Sequence, residues 1–164
     1  MGDAMIEEND PDQSARAIAA ADALGLTYAV TRHGPVRSLA EAAAARGVDP
    51  RQIVKTLVVR VSEGEHVFAL VPGDREIGWP KLRALLGVNR LSMPPADEAY
   101  DVTGYVRGTI TPLGSLRELP VIADERIEGP ISLGGGAPGV ALTVDAGELV
   151  VALGAAVADV TEPA

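Results

Sequence analysis

Residues 53–61 read Ile-Val-Lys-Thr-Leu-Val-Val-Arg-Val, with five β-branched apolar residues and no breaker, which predicts a β-strand. Side chains alternate across a strand, so Ile53, Lys55, Leu57, Val59 and Val61 share one face, and Val54, Thr56, Val58 and Arg60 the other. The first face is apolar except for one ammonium. Lysine is rarely buried without a partner. Lys55 therefore either snorkels past the sheet edge to water or enters a cavity and meets an anion or a carbonyl there.

The rest of the pattern alternates between helix and strand signals. Asp10-Pro11 is suited to open a helix that stops before Gly25, and a short strand follows at 26–32. Ser38 and Glu41 have capping-box spacing ahead of an alanine-rich helix stopped by Gly47. Asp49-Pro50-Arg51-Gln52 repeats the signal before the Lys55 strand, and residues 62–65 make a hairpin loop into a second apolar strand at 66–71. A helix from Pro80 to Leu86 closes at Gly87, a strand is expected at 88–92, and a last turn of helix at 96–100. Further strands are expected at 119–123, 130–133 and 140–144, with a capped helix from Asp145 to Leu153. Hairpin-length connections without a βαβ rhythm predict an α+β fold. Its sheet should be mixed, mostly antiparallel and curled into a barrel-like shape flanked by helices.

Composition narrows the chemistry. At 164 residues the chain suits one domain, expected over 12–164 behind a flexible acidic tail at 1–11. Hydrophobic residues make up 47% but aromatics only 3%, so the core must be Ala, Val, Leu and Ile, and few rings remain to stack bases. A net charge of −9 argues against broad nucleic-acid capture but leaves room for a local basic patch. With no cysteine and two histidines, thiolate chemistry is excluded, and neither a metal site nor a cofactor is expected. The N-terminal residues lack the apolar core of a signal peptide and no apolar run reaches membrane length, so a cytoplasmic protein without membrane contact is expected.

Two glycine-rich stretches accompany Lys55: residues 103–114 (Thr-Gly-Tyr-Val-Arg-Gly-Thr-Ile-Thr-Pro-Leu-Gly) and the triple glycine Gly134-Gly135-Gly136. Glycine lets backbone N–H groups approach a ligand closely, so loops of this kind can polarise a carbonyl or hold a phosphate. They can equally be plain turns. The triple glycine is neither a P-loop nor a dinucleotide fingerprint, and no catalytic triad order is present. Arg32, Arg37 and Arg107 are candidate phosphate contacts. His33, at the exit of a strand, is a plausible ligand contact, whereas His66 is read as structural.

Order and spacing of several short motifs resemble the YbaK/ProX-type aminoacyl-tRNA deacylases, free-standing relatives of the prolyl-tRNA synthetase editing domain. The carriers are residues 49–57 with their Lys-Thr-Leu strand, residues 103–114, Leu119-Pro120-Val121-Ile122-Ala123-Asp124, Gly135-Gly136-Ala137-Pro138-Gly139-Val140, and Asp145-Ala146-Gly147-Glu148-Leu149. The resemblance implies hydrolysis of the ester that joins a wrong amino acid to a tRNA 3′ end. It places Lys55 and the backbone of Gly108 in catalytic roles, with the substrate's own ribose hydroxyl activating water. Thr31, His33, Gly104, Tyr105, Gly134, Gly135 and Gly136 would contact the substrate.

Two departures bear on specificity: Gly134 stands where relatives commonly have serine, and Thr31 where cysteine-specific relatives tend to carry tyrosine. Both imply a roomier, less polar pocket for a small amino acid. The acidic composition implies weak intrinsic tRNA affinity, with delivery by a synthetase or elongation factor. The competing expectation is a non-catalytic module of the same fold, recognising a small aminoacyl compound or a protein partner.

Overall fold

The computed structural model describes residues 12–164; the acidic segment 1–11, including the expected Asp10-Pro11 helix start, lies outside the described residues. Its elements are α1 (Ser14–Ala23), β1 (Tyr28–Arg32), α2 (Leu39–Arg46), a 3-10 turn (Pro50–Gln52), β2 (Ile53–Ser62), β3 (Glu65–Pro72), β4 (Arg75–Ile77), α3 (Trp79–Leu86) and α4 (Ala96–Thr103). Then come β5 (Val121–Asp124), β6 (Pro130–Gly134), β7 (Val140–Asp145), α5 (Ala146–Leu153), β8 (Ala156–Ala158) and β9 (Thr161–Pro163). Several of the signals that start and stop these helices are those read from the sequence. Ser38 Oγ accepts from the Glu41 amide and Asp145 from the Glu148 amide, while Gly47 and Gly154 close their helices in the left-handed region.

Seven strands form one mixed sheet in the order β1-β7-β6-β2-β3-β5-β8, and β4 pairs with β9 in a separate ribbon. The long ladders β2–β3, β1–β7 and β6–β7 are antiparallel; β2–β6, β3–β5 and β5–β8 are shorter and parallel. The fold is thus α+β with a large mixed sheet flanked by helices. The sheet stays open between β1 and β8, so it curls without closing.

Parity within β2 and β3 divides the core in two. Val54, Val58, Phe68 and Leu70 pack on one side with α1, α4 and α5; Val59, Val67, Ala69 and Val71 pack on the other with Leu82 of α3 and Ile77 of β4. The strand expected at 88–92 reduces to a single bridge between Ser92 and Arg60. Pro94 and Pro95 follow at once, and neither has an N–H to extend a ladder. The helix expected at 96–100 runs on to Thr103 and closes at Gly104, φ 78°. Strands β4, β8 and β9, each three residues long, were not foreseen; so short a run carries no periodicity.

One feature of the pairing positions the site. Strand β6 meets β2 only at Ile53 and Val54, and among the described residues β2 has no backbone partner on that edge beyond that point until Arg60 exchanges backbone hydrogen bonds with Ser92. Because Arg60 points its N–H and C=O to this edge, strand parity sends those of Thr56 and Val58 the same way. A gap therefore opens in the middle of the sheet.

Candidate active site

A cavity of about 630 Å³ fills that gap. It is lined by residues 53–58 of β2, by Gly134, by Met93-Pro94-Pro95-Ala96 and Ala99, and by Arg107, Gly108 and Ile110. Its volume is in the range of sites that enclose most of a small ligand. Most of the lining is apolar. Its charged residues are Arg46, Lys55 and Arg107, with no Asp, Glu or His among the lining residues. In a chain of net charge −9, this concentrates positive potential where an anion would sit.

Several polar groups in the cavity lack protein partners. The Thr56 hydroxyl and Arg46 Nε are buried without a hydrogen bond among the described residues. The Gly108 N–H and the Arg107 guanidinium likewise have no partner among the described residues. Arg107 and Gly108 are exposed and water serves them in the free protein; the two buried groups, the Thr56 hydroxyl and Arg46 Nε, are the ones left open for a ligand. Gly108 presents its amide from a backbone with φ +90°, and a Cβ built there would meet nothing within 4 Å. Glycine is required at this position by conformation and not by crowding.

Lys55 is half-buried on the face that also carries Leu57 and Val59. It lines the cavity, and its Nζ donates to the carbonyl oxygen of Arg75 at 2.5 Å. The sequence offered water or a cavity; Lys55 belongs to the cavity lining, and its ammonium is tied to a backbone carbonyl of β4. One of the three ammonium donors is taken and two remain. Burial pulls the Lys55 pKa below the usual lysine range, while the Glu76 and Asp74 carboxylates act in the opposite direction.

Of the residues expected to form the site, Lys55, Gly108 and Gly134 are brought together on this cavity; Thr31, His33, Gly104, Tyr105, Gly135 and Gly136 are not among its lining. Tyr105 is fully buried: its hydroxyl donates to the Leu113 carbonyl at 2.5 Å and the Arg16 guanidinium lies 4.4 Å from its ring centre. It thus braces the loop from behind. Gly136 lies so close to the Tyr105 ring that a Cβ would approach within 2.8 Å, and a Cβ on Gly104 would meet Arg16 and Leu116. A Cβ on Gly135 would press on Val140. These three glycines allow close packing. Thr31 pairs with Ala141 in β1, and His33 bonds through Nδ1 to the Gly34 carbonyl. Arg32 and Arg37 are exposed and outside the lining, whereas Arg107 belongs to it.

The sequence reading missed Arg46, Thr56 and the Met93–Ala96 stretch. A basic residue in the last turn of a helix is ordinary, which hid Arg46. Thr56 carried a signal that went unused: it belongs to the same strand as Lys55, on its opposite face.

Comparisons with known proteins place the chain in a family. Residues 33–151 match the family described as the aminoacyl-tRNA editing domain. Over 93 residues the chain is 40% identical to the proline–tRNA ligase of a Geobacter species and 39% identical to that of Thermosipho africanus, each alignment covering 57% of this chain. The chain spans 16% of the length of these ligases. Among solved structures it resembles a protein described as a proposed trans-editing enzyme for prolyl tRNA synthetase, with a TM-score of 0.82 and 30% identity over 93% of this chain and 99% of the other. It also resembles a hypothetical protein, APE2540, with a TM-score of 0.81 and 32% identity over 90% and 99% of the two chains. The match spans most of the chain, including the Lys55 strand, the Gly108 loop and the triple glycine, and so this protein belongs to the aminoacyl-tRNA editing domain family.

Proposed function

We propose that residues 12–164 act as a single trans-editing deacylase domain, hydrolysing the ester of tRNA mischarged with a small amino acid. The observation that carries this reading is the cavity itself: lined by Arg46, Lys55 and Arg107, with the Thr56 hydroxyl and Arg46 Nε buried and open, and with no acidic lining residue. An aminoacyl-tRNA 3′ end offers complementary groups, an ester carbonyl and an anionic backbone. The Gly108 N–H and the Lys55 ammonium would bind the oxygen on which charge develops as water adds to the carbonyl. No lining side chain is a carboxylate or imidazole that could accept the proton of that water. The neighbouring ribose hydroxyl of the substrate would orient and activate it, as the family resemblance implies.

The side chain of the amino acid would rest against Val58, Met93 and Ile110, an apolar surface without a dedicated polar contact. Such a surface separates neighbours differing by one methylene by about 1–3 kcal/mol, so activity on several small amino acids is expected. An acidic body around a small cationic cavity fits recognition of the 3′ end, with a synthetase or elongation factor delivering the tRNA. The test is a panel of mischarged tRNAs incubated with purified protein and read as loss of the ester. Accelerated loss for small amino acids supports the proposal. Tight binding with no acceleration on any substrate would leave only a binding module.

A further inference from the structure

Arg46 is a cation whose partial burial no protein group among the described residues offsets. It ends α2, immediately before Gly47 turns the chain at φ 72°. Two carbonyls of its last turn are already taken, Ala43 by the Val48 amide and Ala44 by the Gly47 amide. The Arg46 guanidinium donates to none of them and forms no ion pair among the described residues, although its Nε is buried. A guanidinium cannot shed its charge to escape desolvation, so a partly buried one without an acceptor is costly unless a ligand supplies one. Burial does lower its pKa. It lines the same cavity as Lys55 and Arg107, again with no acidic side chain in the lining.

We propose that Arg46 anchors a phosphate of the bound polynucleotide 3′ end, so that the cavity recognises the phosphodiester beside the terminal nucleoside as well as the ester. This rests on the reading of the cavity as an editing site. Arginine suits the task, because its planar fork matches two phosphate oxygens at once. The division of labour is that Gly108 and Lys55 serve the carbonyl, while Arg46, at the end of α2 and lining the same cavity, serves the backbone charge.

The experiment is equilibrium binding of adenosine, AMP and the trinucleotide CCA to the wild-type protein, Arg46→Gln and Arg46→Lys, at several salt concentrations, with folding verified by thermal unfolding. Wild type should prefer both phosphate-bearing ligands to adenosine. Arg46→Gln should lose roughly ten-fold or more of that preference, leave adenosine binding unchanged, and reduce the logarithmic salt slope for CCA by about 0.7. Arg46→Lys should keep the salt slope but lose part of the affinity, since a point charge replaces a fork. The inference is overturned if wild type shows no preference for phosphate, if Arg46→Gln weakens adenosine as much as CCA, or if it weakens neither phosphate ligand. Binding of AMP without CCA overturns it too, by assigning the subsite to free nucleotides. Phosphate-dependent binding by a protein that hydrolyses no aminoacyl ester would uphold the inference while ending the deacylase reading.

Discussion

Replacing Gly108 with alanine separates the role of its amide from the needs of the fold. Its φ of +90° is a conformation an L-residue adopts only under strain, but a new Cβ would meet nothing within 4 Å. The structural penalty is therefore backbone strain alone, about 1–2 kcal/mol. At this chain length each kcal/mol lowers Tm by about 2–4 °C, so a loss of about 2–8 °C is expected. Relief of the strain would rotate the peptide and swing the N–H away from the carbonyl, and losing one oxyanion donor reduces kcat about 10²–10³-fold. Gly87→Ala is the matched control: φ is +67°, its Cβ also meets nothing within 4 Å, and Gly87 closes α3 outside the cavity lining. Thermal unfolding and single-turnover deacylation, both well below Tm, should show the two variants similarly destabilised and only Gly108→Ala inactive. Equal activity in the two would refute the assignment of the Gly108 amide.

Lys55→Ala should abolish deacylation with a Tm close to wild type, because the bond lost to the Arg75 carbonyl offsets the relief of a partly desolvated charge, leaving a net change within about 1 kcal/mol; unfolding of the variant contradicts this. The lowered Lys55 pKa also fixes a pH trend. The folded protein carries the penalty of the charged lysine below that pKa and sheds it as pH rises toward the unfolded value, so wild type should gain stability relative to Lys55→Met across this window in urea unfolding. Over the same window deacylation, corrected for spontaneous ester loss, should fall. Thr56→Val removes a buried hydroxyl that bonds to nothing among the described residues, so stability should hold or rise by about 1 kcal/mol while affinity for the aminoacyl nucleoside falls; a marked Tm loss would reveal a structural bond. Gly134→Ser should narrow the range of amino acids accepted, since its Cβ would already lie 3.1 Å from the Ile110 carbonyl; comparison of kcat/KM across the panel measures it.

The elements were legible where the signal was local. Caps at Ser38 and Asp145, stops at Gly47 and Gly87, and the alternation of β2 each depend on a few adjacent residues. Lys55 was legible for the same reason, as the one charge on an apolar face. The cavity was not, because it exists only where β6 leaves β2 after two pairings, and pairing partners lie some 80 positions apart in sequence. Tyr105 shows the opposite failure. The family resemblance makes it a pocket residue, yet in a chain with so few aromatics its bulk serves the core, where it is fully buried. The glycines divide similarly: Gly108 has open space around it, whereas Gly104, Gly135 and Gly136 face atoms under 3 Å from a potential Cβ, a difference invisible in the letters.

The most direct test of the account is a crystal structure with a stable substrate analogue, in which alanine is joined by an amide to 3′-amino-3′-deoxyadenosine. The analogue should bind in the cavity along the open edge of β2, with the alanyl methyl against Val58, Met93 or Ile110. Its carbonyl oxygen should lie about 2.7–3.1 Å from the Gly108 nitrogen, with the Lys55 ammonium turned toward the same oxygen. An analogue bound elsewhere, or bound here with its carbonyl directed away from both Gly108 and Lys55, would contradict it.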